Sequence, residues 1–294
     1  MTSTNTITVQ KPGTTREADE RYAFAFIGQR QVQGGLGTAG NHMHTVNNST
    51  QEQFVRSNYP NWDVRFADRD SGHYHPNIHM GSYEKGTPTP PLTPQQHRAL
   101  IASTEREDIL IDDLRKIARV VTPNVDNRNA YGSAIRNLLV AACIEVEAQC
   151  KAIFRANHLT EPTQPPFWNI WTYSKLAAPL RLAEYVSSCD RFPDYPTFKP
   201  FDGWQLNQSL PWYRAYNDSK HNVDTNAKCA TLEHAITAVA AVSTLLLAQY
   251  GPRYMDEYGG VPFFGLVDTP TWEAHERNYP PPSNQLWIPV DHPF

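Results

Sequence analysis

The sequence predicts a mainly α-helical protein, and three observations support that prediction. The 24 prolines of the 294-residue chain are unevenly spread, with one between Gln95 and Glu161 and none between Trp212 and Gly251. Within those two stretches, apolar residues recur at helical spacing. Outside them, the chain is rich in glycine, asparagine, proline and aromatic residues. A helical core between two less regular parts is the expected architecture.

Prolines and composition divide the chain into residues 1–92, 93–251 and 252–294. In the first part we expect about twenty poorly ordered residues, then a strand at 22–27 and another at 64–66, so this part is predicted to be irregular or a small β structure. The last part is predicted to be an extended segment packed on the core, because a disordered tail would contain fewer aromatic residues.

The helical domain opens on a capping-box pattern. Thr93 occupies the N-cap position, Pro94 the first helical position and Gln96 the N3 position. We expect this helix to run to about Val121. The second helix has the clearest period, because its apolar residues fall on one stripe at 3.6-residue spacing. That stripe consists of Ile135, Leu138, Leu139, Ala142, Cys143, Val146, Cys150 and Ile153.

Three further helices complete the predicted domain. A short helix is expected near 170–177, and a brief one begins near Pro211. The last, over about 226–250, is apolar on most sides and is predicted to be central in a bundle, with Gly251 as its C′ residue. Its longest apolar run, 235–248, is too short to span a bilayer.

Composition excludes several functional classes. A net charge of −4 with 19% charged residues does not fit a disordered tail or a generally basic nucleic-acid binder, so any nucleic-acid contact must be a local patch. The N-terminus lacks the apolar segment of a secretory signal. The four cysteines form no CxxC and no zinc spacing. We expect a cytoplasmic, reduced protein with no membrane partner.

A glycine motif in the first part resembles a cofactor fingerprint. Residues 35–40 match GxGxxG. A dinucleotide site needs a strand directly before the motif and a helix directly after it, and the sequence offers neither. We therefore expect a loop or hairpin here, and no cofactor.

Histidines are clustered in the same part of the chain. His42 and His44 form an HxH pattern, and His73, His75 and His79 form HxHx3H. In a strand, residues two apart share a face, so each pair could present two imidazoles to one metal ion, with Asp63, Asp68 or Asp70 completing the site. No known zinc spacing is matched, so surface histidines are the preferred interpretation and a metal site the alternative.

Two carboxylates lie beside the apolar stripe of the second helix. Glu145 and Glu147 are two residues apart and do not share a helix face, so they are not a paired acid and base. Each could reach a neighbouring helix. They are either ordinary boundary charges, or one of them contacts a functional helix.

The strongest candidate site lies in the helix that begins near Pro211. Arg214, Asn217 and His221 have the spacing i, i+3, i+7, which forms one polar stripe about 10 Å long, with Lys220 beside it. Arginine binds phosphate through bidentate hydrogen bonds, and histidine transfers protons near neutral pH. This set of side chains suits phosphodiester cleavage, although spacing alone equally fits a solvated helix face.

A family resemblance bears on this choice. The residues that carry it are IRNLLVAACIEVEAQCKAI at 135–153, PFDGW at 200–204, LPWYRAYNDSKHN at 210–222 and ATLEHAITAVAAVSTLLLAQYG at 230–251. The stretch from about Tyr131 to Gly251 resembles the HEPN-like helical proteins of bacteria, a superfamily rich in RNA-cleaving toxins and abortive-infection factors. The resemblance implies a HEPN-like helical bundle.

HEPN ribonucleases carry an arginine, four to six further residues and then a histidine, and Arg214 and His221 are separated by six. By this resemblance, Arg214 would stabilise the scissile phosphate, and His221 would act as general base or acid on the ribose 2′-hydroxyl or the leaving oxygen. Asn217 would orient His221 or a phosphate oxygen, and no metal would be needed. The supporting or phosphate-binding residues would be Lys220, Tyr216, Glu145 and Glu147.

The resemblance also implies biological partners. They are RNA, a second copy of the chain in a two-fold dimer, and an antitoxin or another component of an antiviral defence system. The alternative function is a non-catalytic HEPN-like module that binds a nucleotide, a nucleic acid or a protein. In that case Lys220 would pair with Glu145 or Glu147. Catalysis requires Arg214 and His221 to be exposed together in a cleft, whereas the alternative buries at least one of these two residues against Glu145 or Glu147.

Overall fold

The computed structural model describes two compact units of the chain. Its described residues are 6–10, 21–26, 31–36, 40–45, 53, 56–57, 60, 63–66, 68–70, 72–81, 89–205, 207–221, 226–258, 262–272, 276–278, 281 and 285–294. At 6–10, 21–26, 31–36, 40–45, 63–66, 221, 253 and 256–258 it describes the backbone alone. The first unit draws on 1–74, 86–91 and 271–290, and the second on 75–85, 92–270 and 291–294.

The first unit contains a five-stranded antiparallel sheet in the order β4-β3-β2-β1-β5. Its strands are β1 (Thr6–Gln10), β2 (Arg21–Phe26), β3 (Gln31–Leu36), β4 (Gly40–Thr45) and β5 (Asp63–Phe66). The two predicted strands are confirmed as β2 and β5. A further strand, β1, lies within the first twenty residues, where none was predicted, and its β-branched Thr6, Ile7, Thr8 and Val9 favour a strand.

The glycine motif lies in a hairpin of this sheet. β3 and β4 pair antiparallel with Leu36 opposite Gly40, so the motif begins in one strand and ends in the next. A strand and not a helix follows it, which confirms the hairpin interpretation. Elsewhere in this unit, β6 (His73–Tyr74) pairs in parallel with β9 (Ile288–Pro289).

The second unit is helical, and the fold class is mainly α, as predicted. The α-helices described in it are α1 (Pro94–Ala118), α2 (Ser133–Ala156), α3 (Ile170–Tyr173), α4 (Pro211–His221) and α5 (Leu232–Tyr258). A short antiparallel pair, β7 (Val186–Ser188) and β8 (Gly265–Asp268), accompanies them. The predicted helix near 170–177 is α3 followed by a 3₁₀ turn at Ser174–Leu176.

The predicted capping box of α1 is confirmed. The Thr93 hydroxyl accepts a hydrogen bond from the Gln96 backbone N–H at 3.2 Å, and the Gln96 side chain accepts one from the Thr93 N–H at 2.9 Å. The α-helix ends at Ala118, before the expected Val121. The N–H groups of Val120 and Val121 both bond to the Ile117 carbonyl, which closes the helix in a tight turn.

Helix α5 is central, as predicted, and packs against α1, α2 and α4. Its segment Leu232–Tyr250 is apolar and long enough to cross a membrane, longer than the run judged from sequence, but 78% of its apolar window is buried inside the fold, as in the core helix of a soluble protein. Gly251 has the expected positive φ, 76°. The helix does not stop there, however, and resumes from Pro252 to Tyr258.

Candidate functional site

Helix α4 presents two members of the predicted polar stripe, Arg214 and Asn217, on a face directed away from the core. Pro211 occupies its first turn, where a missing N–H is tolerated, and the Arg214 N–H bonds to the Leu210 carbonyl at 2.9 Å. Arg214 is exposed and Asn217 is half-buried. The opposite face of the helix is buried and consists of Trp212, Tyr213, Ala215, Tyr216 and Ser219. The helical period thus separates a packing face from a solvent face that contains Arg214 and Asn217.

Three hydrogen bonds from buried or half-buried side chains fix this helix. Trp212 Nε1 donates to the Pro200 carbonyl at 2.7 Å, and Tyr213 Oη donates to Glu147 Oε1 at 2.6 Å. Arg136 Nε of α2 donates to the Ser219 carbonyl at 3.1 Å, which places a cation at the C-terminal end of α4. Arg214 and Asn217 therefore lie on a helix that is fixed to its neighbours by side-chain hydrogen bonds.

The guanidinium of Arg214 has no competing partner among the residues that the structure describes. Within the part of the chain that the structure describes, no hydrogen bond or ion pair joins its guanidinium to another residue. An exposed guanidinium that the protein does not neutralise is available to bind an anion such as a phosphate.

Lys220 is held against Tyr216. Its Nζ donates to Tyr216 Oη at 2.9 Å and lies 5.0 Å from the centre of the ring. This hydrogen bond, opposed by partial burial, raises the pKa of Lys220 above its usual value, so the ammonium stays charged. Burial likewise raises the pKa of Tyr216 and of Tyr213, so both phenols are neutral near pH 7.

The two carboxylates of α2 have different partners, neither of which is Lys220. Glu147 accepts the Tyr213 hydroxyl. Glu145 is buried, with Oε2 2.6 Å from Arg106 Nε and Oε1 3.3 Å from Gln149 Nε2. The direct pairing of Lys220 with Glu145 or Glu147 that the alternative function implied is not formed among the described residues. Glu147 is instead bonded to the Tyr213 hydroxyl, and Lys220 to the Tyr216 hydroxyl.

Glu145 belongs to a buried polar chain that links three segments. Gln149 Oε1 accepts Gln249 Nε2 of α5 at 3.1 Å, and Gln249 Oε1 accepts Asn77 Nδ2 at 3.4 Å. The four members Glu145, Gln149, Gln249 and Asn77 are all buried. Buried polar groups require such partners, so Glu145 has a structural role in the core.

His221 is the last residue of α4, and its side chain lies outside the described part of the structure. Along a helix, its backbone stands about 10 Å from that of Arg214. A cavity beside Glu107 and another beside Ser174 are both lined by other segments of the helical unit, without a residue of α4.

The histidines of the first 80 residues have separate neighbours. His73 Nδ1 is 3.8 Å from Asp70 Oδ2, His75 packs on the ring of His292, and His79 is buried. Among the residues described, no group of three or more His, Cys, Asp or Glu could hold a metal ion. His42 and His44 lie in β4, and their side chains and that of Asp63 are outside the described part.

Cys143 and Cys150 are buried on α2, as the apolar stripe predicts, and Cys189 is buried as well. Burial raises the pKa of the Cys143 and Cys150 thiols, which keeps them protonated and unreactive. They pack as small apolar residues in the core formed by α2.

One buried acid was missed by the sequence reasoning. Glu107 lies on the buried face of α1, and the Ser243 hydroxyl of α5 donates to its Oε1. Burial raises its pKa from 4.5 to about 7. The signal was present, because Glu107 falls at helical spacing within the buried stripe of α1. The remaining members of that stripe are Leu100, Thr104, Leu110, Ile111, Leu114 and Ile117.

The chain was compared with protein families, curated proteins and solved structures. No family model, no curated protein and no solved structure matches the chain.

Proposed function

We propose that the protein is a cytoplasmic, metal-independent endoribonuclease of HEPN type. The observation that carries the proposal is the exposed Arg214 guanidinium, unpartnered among the described residues, on a helix whose other face is fixed to the core. The resemblance of 131–251 to HEPN-like proteins supports the same assignment, with His221 seven residues further along the helix.

The reaction would need proton transfer and charge stabilisation only. The ribose 2′-oxygen attacks phosphorus while a base, assigned to His221, accepts its proton. The 5′-oxygen leaves and takes up a proton from water, giving a 2′,3′-cyclic phosphate and a 5′-hydroxyl. Arg214 would stabilise the negative charge that develops on the phosphoryl oxygens, and Asn217 would orient His221 or one of these oxygens. A two-fold dimer would bring two such stripes to one RNA, and a toxin or defence role follows from the resemblance.

The test is cleavage of total RNA in EDTA by the full chain. We expect cleavage by the wild type and its loss in Arg214→Ala and His221→Ala. Arg119→Ala and His158→Ala remove an exposed arginine and an exposed histidine elsewhere on the helical unit and should retain activity. An RNA oligonucleotide with a 2′-deoxy sugar at the cleavage site should resist. Cleavage that survives His221→Ala contradicts the assignment of the site.

A second function is favoured by the contacts of the same helix. The Tyr213 hydroxyl donates to Glu147 and joins α4 to α2, while the Tyr216 hydroxyl accepts from Lys220 within α4, so these side chains have structural roles. A non-catalytic module that binds a nucleotide, a nucleic acid or a protein would need no more than this. Absence of cleavage for every RNA tested, together with lower thermal stability of Lys220→Ala, would favour this function.

A further inference from the structure

A second candidate site lies away from α4, in a cavity between α1, α5 and the segment at 262–266. Its volume is about 150 Å³. Most of its wall is apolar and includes Leu247, Met255, Phe263 and Phe264. A cavity of about this volume accommodates a molecule the size of one benzene ring.

The wall also contains a buried hydroxyl, on Thr244, that no described atom pairs with. Thr244 is 1% exposed, and its Oγ1 has no hydrogen-bond partner among the described atoms. Other threonines of these helices bond to their own backbone: Thr237 Oγ1 donates to the Glu233 carbonyl at 2.7 Å, and Thr104 Oγ1 to the Ile101 carbonyl at 2.8 Å. Leaving a buried hydroxyl unpaired costs about 1–3 kcal/mol, so Thr244 indicates a missing partner.

The charge in the cavity favours a cation. Glu107 lines the same wall. The charged groups that act on it are the carboxylates of Asp108 on α1 and Glu145 on α2, and both disfavour a negative charge on Glu107. Helix α5 lines the cavity with the hydroxyls of Ser243 and Thr244, and no described lining residue is basic. A ligand with a positive charge would supply a counter-ion that none of the described lining residues gives Glu107.

We propose that this cavity binds a small primary amine with an apolar body. The ammonium group donates to the Glu107 carboxylate and to Thr244 Oγ1, and the body packs against Leu247, Met255 and Phe263. The two hydroxyl groups have different roles. The Ser243 hydroxyl already donates to Glu107, whereas Thr244 Oγ1 has no partner among the described atoms and can accept from the ammonium group. The site shares no residue with α4 and does not depend on RNA cleavage.

The pH dependence of binding follows from Glu107. An alkylammonium group stays protonated up to a pH of about 10, whereas Glu107 ionises with a pKa of about 7. The ionised fraction of Glu107 falls about tenfold from pH 8 to pH 6, so the affinity for the amine should fall about tenfold over the same interval.

The test is titration of the full chain with benzylamine, benzyl alcohol and benzoate, which present a cation, a neutral group and an anion on one ring. Methyl-labelled methionine gives a local NMR signal, because Met255 lines the cavity and buried Met80 does not. We expect benzylamine to shift Met255 and leave Met80 unchanged. It should bind at least tenfold tighter than benzyl alcohol at pH 8, and benzoate should not bind.

Variants separate the charge from the shape. Glu107→Gln should remove the preference for benzylamine while keeping the volume, and Thr244→Val should weaken binding several-fold. Glu105→Gln, at an exposed position of the same helix, should bind as the wild type does. Equal affinity for benzylamine and benzyl alcohol, benzylamine binding that survives Glu107→Gln in a folded variant, or no binding of benzylamine at pH 8 would each overturn the proposal.

Discussion

At the scale of single residues, Glu107 is a carboxyl group that costs stability once it ionises. Burial raises its pKa from 4.5 to about 7, and the hydrogen bond from Ser243 offsets only part of that effect. Because the folded-state pKa of Glu107 lies above its unfolded value, the protonated group contributes fully to the unfolding free energy below pH 4.5. This contribution is lost as the pH rises through about 7.

Replacement of Glu107 by glutamine should therefore change the pH dependence of stability. The pKa difference corresponds to about 3 kcal/mol of unfolding free energy at pH 8, since each pH unit is worth about 1.4 kcal/mol. We expect the unfolding free energy of Glu107→Gln, measured by urea unfolding, to rise by about 1–3 kcal/mol relative to that of the wild type as the pH goes from 5 to 8. Glu105→Gln should follow the wild type, and parallel curves for all three proteins would contradict the prediction.

The residues of the stripe on α4 illustrate what a helical period can and cannot predict. The spacing of Arg214 and Asn217 correctly indicates a face directed away from the core, because that depends on α4 alone. The contact of Lys220 with Tyr216 joins two residues four apart on α4, a spacing that the sequence itself contains. The contact of Tyr213 with Glu147 depends on where α2 lies, and no local pattern predicts it.

At the scale of elements, a backbone contact forms the bend in α5. Gly251 has φ 76°, and a Cβ on Gly81 would lie 2.2 Å from the Tyr250 carbonyl oxygen. Just before this point, the N–H groups of His79 and Met80 donate to the Ala248 and Gln249 carbonyls. The segment around residue 80 thus satisfies the last carbonyls of the first half of α5, and it needs glycine to approach so closely.

Alanine at position 81 should open this contact. We expect Gly81→Ala to lower the unfolding free energy by about 1–3 kcal/mol, because the rigid backbone of Tyr250 cannot yield to the new methyl group. Gly132→Ala is the matched control, since nothing lies within 4 Å of its Cβ position and its φ of 166° is extended backbone. Its effect should stay below about 1 kcal/mol. Equal melting temperatures for the two variants would show that the contact is not tight.

Element boundaries were predictable where side chains encode them. Thr93 and Gln96 define the start of α1 through their own hydrogen bonds, and the apolar period defines α2. The extension of α5 beyond Gly251 was missed, because a glycine that ends one helical segment is followed at once by Pro252, a residue suited to begin the next.

At the scale of the whole molecule, the grouping of segments was beyond local patterns. The first unit takes in 271–290, which the sequence assigned to a C-terminal extension on the helical core, and the helical unit takes in 75–85. Strand β6 pairs with β9 across more than 200 residues of chain. Two-residue strands carry no periodicity of their own, so this pairing depends on the folded unit as a whole.

The low net charge makes the proposed RNA binding weakly dependent on salt. With a net charge of −4, attraction of RNA must come from a few local cations, here Arg214 and Lys220. For a single strand, the logarithm of the binding constant falls with the logarithm of salt concentration with a slope of about −0.7 per phosphate contact. One stripe predicts a slope of about −1.4, and two stripes in a two-fold dimer predict about −3.

Anisotropy with a 2′-O-methyl RNA, which resists cleavage, measures this slope, and sedimentation gives the number of subunits present. Arg214→Gln should reduce the slope by about 0.7 for each protomer that contacts the strand, whereas Arg119→Gln should leave it unchanged. A slope that does not respond to Arg214→Gln would place the RNA on another surface. A slope near −1.4 from a sedimenting dimer would mean that one stripe at a time binds the strand, and the two-fold groove would then be wrong even if cleavage is observed.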